Sequence, residues 1–169
     1  MLDGRSEILI RQGKLADAGT LADVFRTSWS GAYRGIVPHV HLENIIRRRS
    51  TDWWKRAVRS GDGLIVLEFD GRVRGYATFG QSRGRHAQKG EIYELYVTPS
   101  YQGLGFGEYL FEASRARLDD DGLRGLIVWA LAMNDQAQDF YWRRGGRPVA
   151  KVTELIGGER LDKIAFAWS

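Results

Sequence analysis

The sequence predicts a mixed α/β protein, mainly antiparallel, with helices on the faces of one sheet and a single domain over residues 1–169. Three observations predict it. Apolar residues at helical spacing alternate along the chain with short branched and aromatic runs. An Asp70-Gly71 pair separates two such runs, the signature of a two-residue hairpin. A glycine-rich stretch, Gly103 to Gly107, stands between an apolar strand and an amphipathic helix. The 169 residues suffice for one sizeable core, and no repeat, low-complexity tract or linker divides them.

In order, Ser6–Gln12 reads as a strand from its branched residues and polar flanks. Leu21, Val24, Phe25 and Ser28 recur at helical spacing, predicting a helix from Ala18 to about Trp29. Gly31–Pro38, with two glycines and a closing proline, reads as a loop. Leu42, Ile45, Ile46 and Arg49 continue a helical face, on which Arg47–Arg49 reads as solvated. Ser50-Thr51-Asp52 interrupts it with N-cap residues, and Trp54, Ala57 and Val58 resume a helix that stops at Gly61. Leu64–Phe69 and Val73–Phe79 flank the Asp70-Gly71 turn. Ser82–Lys89 is a polar, basic loop, and Glu91–Val97 is a strand. Gly107–Leu118 places Leu110, Phe111, Ser114 and Leu118 on one helical face. Leu123–Leu131 reads as a buried strand, Asp135–Arg144 as a short helix ended by Gly145-Gly146, and Pro148–Ile156 with Arg160–Trp168 as a final hairpin. The order is β, α, α, β, β, β, α, β, α, β, β, with a hairpin on each side of a β-α-β-α centre.

Composition removes several functions. There is no cysteine, so disulfides, zinc-thiolate sites and a thiol nucleophile are excluded. His39 and His41 are the only close pair of the three histidines, and their segment reads as loop; no metal site is expected. The net charge of +4 is modest and not gathered into one block, and the aromatics fall mostly on apolar faces, so no nucleic-acid partner is expected. No stretch approaches the roughly 20 apolar residues of a membrane-spanning helix, and Met1–Ile10 lacks the pattern of a signal peptide. A cytoplasmic protein without a membrane partner is the expectation.

The informative stretch is Glu91–Gly107, EIYELYVTPSYQGLGFG. A strand ends at Val97, a loop carries Gly103, Gly105 and Gly107, and a helix follows. Backbone N–H groups at a helix start form an anion site, and glycines let a phosphate approach closely. A phosphate or pyrophosphate over Gln102–Gly107 is therefore predicted. The spacing G-x-G-x-G is neither the dinucleotide fingerprint nor the Gly-Lys-Ser/Thr loop of nucleotide hydrolases.

The arrangement resembles the GNAT acetyltransferase superfamily. Gln102-Gly103-Leu104-Gly105-Phe106-Gly107 matches its Q/R-x-x-G-x-G/A motif, Leu95-Tyr96-Val97-x-Pro99 its usual strand end, and Asn134, Ala137 and Phe140-Tyr141 its N-x-x-A-x-x-F-Y element. The element order is similar over nearly the whole chain; the motifs cover about Glu91–Gly146. The resemblance implies the acyl-CoA N-acyltransferase fold: a sheet of six to seven strands whose central strands, Leu95–Val97 and Leu123–Leu131, splay apart. It implies acetyl-CoA as cosubstrate, with the amides of Gln102, Gly103, Leu104, Gly105, Phe106 and Gly107 on the pyrophosphate. Leu95, Tyr96 and Val97 would pair their backbone with the pantetheine arm, and Asn134, Ala137 and Tyr141 would line its far side. A homodimer is compatible with the family. The family usually has Gly-Phe where this chain reads Gly145-Gly146; Trp129 and Trp142 are candidates for the missing apolar anchor.

Transfer to an amine needs a proton acceptor, an oxyanion donor and a proton for the leaving thiolate. Glu91 and Glu94 are the nearby carboxylates. Three residues apart, they point to opposite faces of an undistorted strand, so only one faces the acceptor unless a bulge intervenes. The resemblance favours Glu91 as base, by its place at the strand start; a base acting through water and a salt-bridged surface role remain open. Tyr141 sits where the family carries its general acid, and an unperturbed phenol with a pKa of about 10 keeps its proton at neutral pH. The Val97 N–H would hold the oxyanion. Lacking cysteine, the chain is expected to transfer directly within a ternary complex. Trp29, Tyr33 and Arg34, with the final hairpin and the Gly80–Gly90 loop, are candidate walls for the acceptor. A non-catalytic acyl-CoA-binding module is the alternative.

Overall fold

The computed structural model describes residues 7–169. Its strands are β1 (Ile8–Gln12), β2 (Gly63–Phe69), β3 (Arg72–Gln81), β4 (Gly90–Val97), β5 (Leu126–Leu131), β6 (Arg147–Ile156) and β7 (Glu159–Trp168). Its helices are α1 (Ala18–Tyr33), α2 (His39–Arg48), α3 (Thr51–Arg59), α4 (Phe106–Asp120) and α5 (Asp135–Arg143). The seven strands form one sheet in the order β1-β2-β3-β4-β5-β7-β6. Every pairing is antiparallel except β4 with β5. This is the predicted mixed architecture. Ser6, the expected start of the first strand, lies outside the described residues.

Alternation along the strands builds two cores. On β2, Ile65 and Leu67 face a core shared with Phe106, Leu110 and Phe111 of α4, and with Tyr141 of α5. Leu64 and Val66 face the other way, toward Leu21, Val24 and Phe25 of α1 and Trp54 of α3. The β2–β3 turn has Asp70 at φ 54° and Gly71 at φ 70°, the left-handed pair a tight hairpin requires. Ser50 caps α3, its Oγ accepting from the Trp53 N–H at 3.3 Å.

The sequence-based boundaries need four corrections. α1 runs on to Tyr33, through Gly31. A glycine inside a helix costs about 1 kcal/mol, and burial of the Tyr33 ring outweighs it. His39 and His41 lie in the first turn of α2, entered from Pro38, and not in a loop. The interrupted second helix is two helices, so three stand before the first hairpin. β5 begins at Leu126, because Gly122 and Gly125 both take positive φ and keep the preceding chain in turns.

Two irregularities shape the centre. β4 and β5 pair only at Gly90↔Leu126 and Glu91↔Ile127, then part. Opposite β3, Thr78 pairs with Glu94 and the next residue, Phe79, with Ile92, so Tyr93 is an inserted residue in a β-bulge. In consequence Ile92 and Leu95 both pack into the α4-side core, although they are three residues apart.

Candidate active site

Beyond Glu91 and Ile127 the separating strands open a cavity of about 550 Å³. Tyr93–Val97 form one wall, and Trp129 and Ala130 the other. The Thr98 N–H donates to the Arg74 carbonyl at 2.7 Å. Alternation back along β4 turns the backbone groups of Leu95 and Val97 away from β3, into the gap. The Val97 carbonyl is met there by Gln102 Nε2 at 3.1 Å. Among the described residues no strand pairs with Leu95 or Val97 on this side, so their N–H groups are presented to whatever enters the slot.

One end of the cavity is the glycine loop. Gly103 and Gly105 have φ of 82° and 83°, and a Cβ on either would meet nothing within 4 Å. Backbone conformation therefore requires glycine here, and the space above the loop is free. Gly105 is the N-cap of α4 and offers no side chain to its first N–H groups. An uncapped helix start with its dipole aimed at an open loop is an anion site. Gly107 serves another purpose: a Cβ there would lie 3.1 Å from Phe140 Cε2, so its absence lets α4 pack closely on α5. Arg143 and Arg144 also line the cavity, Arg144 at this end. Arg144 pairs with Glu108 at 3.4 Å and lies over the Phe140 ring at 3.8 Å. Leu104 is 57 % exposed and lies outside the cavity wall, so of the predicted loop residues it contributes at most its backbone.

The other side of the gap carries the carboxylates. The Tyr93 bulge puts Glu91 and Glu94 on the same sheet face, so the opposite-face geometry of a regular strand does not apply. Their surroundings differ instead. Glu91 is 1 % exposed and lies outside the cavity wall. Its oxygens accept from the Arg83 N–H at 2.9 Å and from Arg83 Nη2 at 2.7 Å, tying down the loop after β3. Glu94 lines the cavity. Arg49 grips it with two bonds of 3.0 and 2.9 Å, and the Tyr76 hydroxyl donates to it at 3.3 Å. Of the two candidate carboxylates, Glu94 lines the cavity and Glu91, the one favoured from the sequence, does not. Arg49 is stacked over Trp53 at 3.9 Å, so it is no solvated member of a basic run. The pairing spans 45 residues, and no local pattern could have revealed it.

Tyr141 lies in the wall with its ring among Phe140, Phe166 and Trp168. Burial, and to a lesser degree the nearby Tyr33, raises its phenol above the ordinary value. Asn134 and Ala137 also line the cavity. Asn134 Oδ1 accepts from the Ala137 N–H at 3.1 Å and caps α5, so that oxygen is already engaged. Tyr33 and Tyr96 face each other with hydroxyls 3.2 Å apart, and burial raises both. Trp29 lines an adjoining hollow. Arg34, just past the end of α1, is exposed and belongs to neither wall. The Gly80–Gly90 loop also contributes nothing to the hollow. The missing anchor after Gly145 is replaced by Trp168 of β7, and not by Trp129 or the half-exposed Trp142.

These residues fit a diphosphate joined to a long arm: open glycines at an uncapped helix start, then a slot with unpaired backbone. Among the described residues no group of His, Asp and Glu is placed to hold a metal ion, and no helix is long and apolar enough to cross a membrane.

The chain belongs to the acetyltransferase (GNAT) family, whose profile matches residues 23–146. It is an acetyltransferase that uses acetyl-CoA. An uncharacterized N-acetyltransferase of Bacillus subtilis, YuaI, is 29 % identical over 163 residues, covering 95 % of this chain and 92 % of the relative. A spermidine N(1)-acetyltransferase of Thermoplasma acidophilum is 27 % identical over 141 residues, covering 82 % and 87 %. The crystal structure of the PaiA N-acetyltransferase of Thermoplasma acidophilum, in complex with coenzyme A, superposes with a TM-score of 0.75 at 22 % identity, over 96 % of this chain and 99 % of that one.

Proposed function

We propose that the chain, acting as one domain, moves the acetyl group directly to a primary amine that enters beside Glu94. One observation carries this reading. The gap between β4 and β5 joins an uncapped helix start at one end to a carboxylate and aromatic wall on the other side. Acetyl-CoA supplies an activated thioester carbonyl. The α4 amides and the loop of Gly103 and Gly105 hold its diphosphate. Leu95 and Val97 give its arm backbone partners, as an added strand would have. The Val97 N–H, turned into the slot, donates to a carbonyl oxygen that gains charge. Glu94 receives the proton of the acceptor ammonium, directly or through water. Tyr141, kept protonated by burial, holds the proton for the departing sulfur. The absence of cysteine supports direct transfer.

The test is a calorimetric titration with acetyl-CoA, with desulfo-CoA and NADH as controls, followed by thiol release on adding amines. Micromolar binding of acetyl-CoA and amine-dependent thiol release are expected. Binding of NADH in its place would overturn the slot assignment.

A further inference from the structure

On the α1–α2 side a hollow of about 210 Å³ adjoins the slot and shares with it Tyr33, Tyr93, Glu94, Tyr96, Trp129 and Ala130. Its own walls include Trp29, Val37, Leu131 and Ile156. The surface is thus aromatic and aliphatic, and the space is small beside typical ligand sites of roughly 300–1,000 Å³. Its charged groups are Glu94, Glu154 and Lys163, and both carboxylates are already neutralised. Arg49 pairs with Glu94 through two bonds, the nearer 2.9 Å long. Lys163 Nζ lies 3.0 Å from Glu154 Oε2 and 5.2 Å from the centre of the Trp129 ring. The protein's own ammonium therefore takes one aromatic face of the hollow. An acceptor ammonium can share Glu94 beside Tyr33 and Tyr96, but a second cationic group reaching the half-exposed Glu154 would find it already paired and would meet Lys163.

We propose that the acceptor is a small monoamine with a flat apolar body, an arylalkylamine, and that Lys163, held by Glu154, excludes polyamines. This rests on the hollow being the acceptor site of the proposed transfer. The acceptor ammonium gives one proton to Glu94 or to water before attack, and the nitrogen gives a second to solvent as the amide forms. Its bond to the acetyl carbon forms as the carbon–sulfur bond breaks, and the thiolate takes the Tyr141 proton, which solvent restores. The products are an N-acetyl amide and the free thiol.

The test compares kcat/KM for 2-phenylethylamine, tryptamine and spermidine by thiol release. The arylalkylamines should exceed spermidine by about tenfold or more, a ratio equal to about 1.4 kcal/mol. Equal or better use of spermidine overturns the proposal. Lys163→Gln leaves Glu154 free and should narrow the ratio by improving spermidine. An unchanged ratio in a variant that melts like the parent removes Lys163 as determinant. Glu154→Gln should do the reverse, lowering kcat/KM for every amine. If acetyl-CoA binds in calorimetry but neither arylalkylamine is acetylated, the acceptor class is wrong and the slot stands. If acetyl-CoA does not bind, both readings fall.

Discussion

Trp168 closes over Gly146: a Cβ on that glycine would lie 2.5 Å from Trp168 Cζ2. The indole N–H donates to the Arg144 carbonyl at 2.9 Å, and the ring stands 5.3 Å from Phe111 and 6.0 Å from Tyr141. The last strand thus supplies the anchor that the residue after Gly145 does not, and it backs the tyrosine of the site. Gly146→Ala should lower stability by about 1–3 kcal/mol, the usual effect of overpacking. Urea unfolding reads it directly, and an unchanged midpoint would mean that the indole can shift at no cost.

Gly105→Asp should weaken acetyl-CoA binding while the fold survives. Asp tolerates the left-handed region better than most residues, and its Cβ would meet nothing. Its charge would face the diphosphate at the α4 start. Calorimetry should show affinity at least about tenfold weaker, since 1.4 kcal/mol of repulsion suffices. Parental affinity would place the phosphates elsewhere.

Tyr141→Phe should lower turnover by about a hundredfold or more, the range of general acid catalysis, with the KM for acetyl-CoA nearly unchanged. Because burial raises the phenol, its loss of proton cannot produce an alkaline limb below the ordinary value of about 10. Full turnover in the variant would reduce Tyr141 to a packing residue.

Glu94→Gln and Glu91→Gln should part company. The first should lower kcat at modest loss of stability. The second weakens the tie from the buried Glu91 side chain to the Arg83 N–H and to the largely exposed Arg83 guanidinium, and should lose about 1 kcal/mol of stability with turnover largely kept. Paired melting curves and rates decide; a catalytic defect confined to Glu91→Gln would restore it as the base.

Acid sensitivity should trace in part to Asp17. Arg11 donates to both its oxygens at 2.8 Å and holds its carboxyl below the usual carboxylate range. The unfolded chain therefore binds this proton first. The stabilisation is complete above an unfolded value of about 4 and is lost as pH falls through the lower folded one. Asp17→Asn should flatten the acid limb of urea midpoints measured from about pH 6 to about pH 2. An identical limb would assign the sensitivity to other carboxylates.

The parts legible in the sequence are those with local causes. The Asp70-Gly71 hairpin needs only its own dihedrals, and the glycine loop only its own chain and the helix behind it. α1 was misjudged at Gly31 because the burial of Tyr33 that carries the helix past a glycine comes from tertiary packing. The choice between Glu91 and Glu94 turned on a bulge set by β3 and on two arginines, one of them 45 residues away. Arg34 shows the same limit: spacing names the neighbourhood of a residue and not the direction of its side chain, which here is exposed and outside both walls.

The two-pair seam at Gly90 and Glu91 makes the sheet a pair of plates on a short hinge. β1–β4 carry α4, whereas β5–β7 carry Phe166 and Trp168, against which the Tyr141 ring rests. A ligand lying along the opening would brace the first plate alone, giving backbone partners to its β4 lip while its phosphates bear on its helix. Ordering that lip would cost part of the ligand's affinity, and amide exchange at Leu95 and Val97 should slow more than anywhere on the outer strands once the slot is filled.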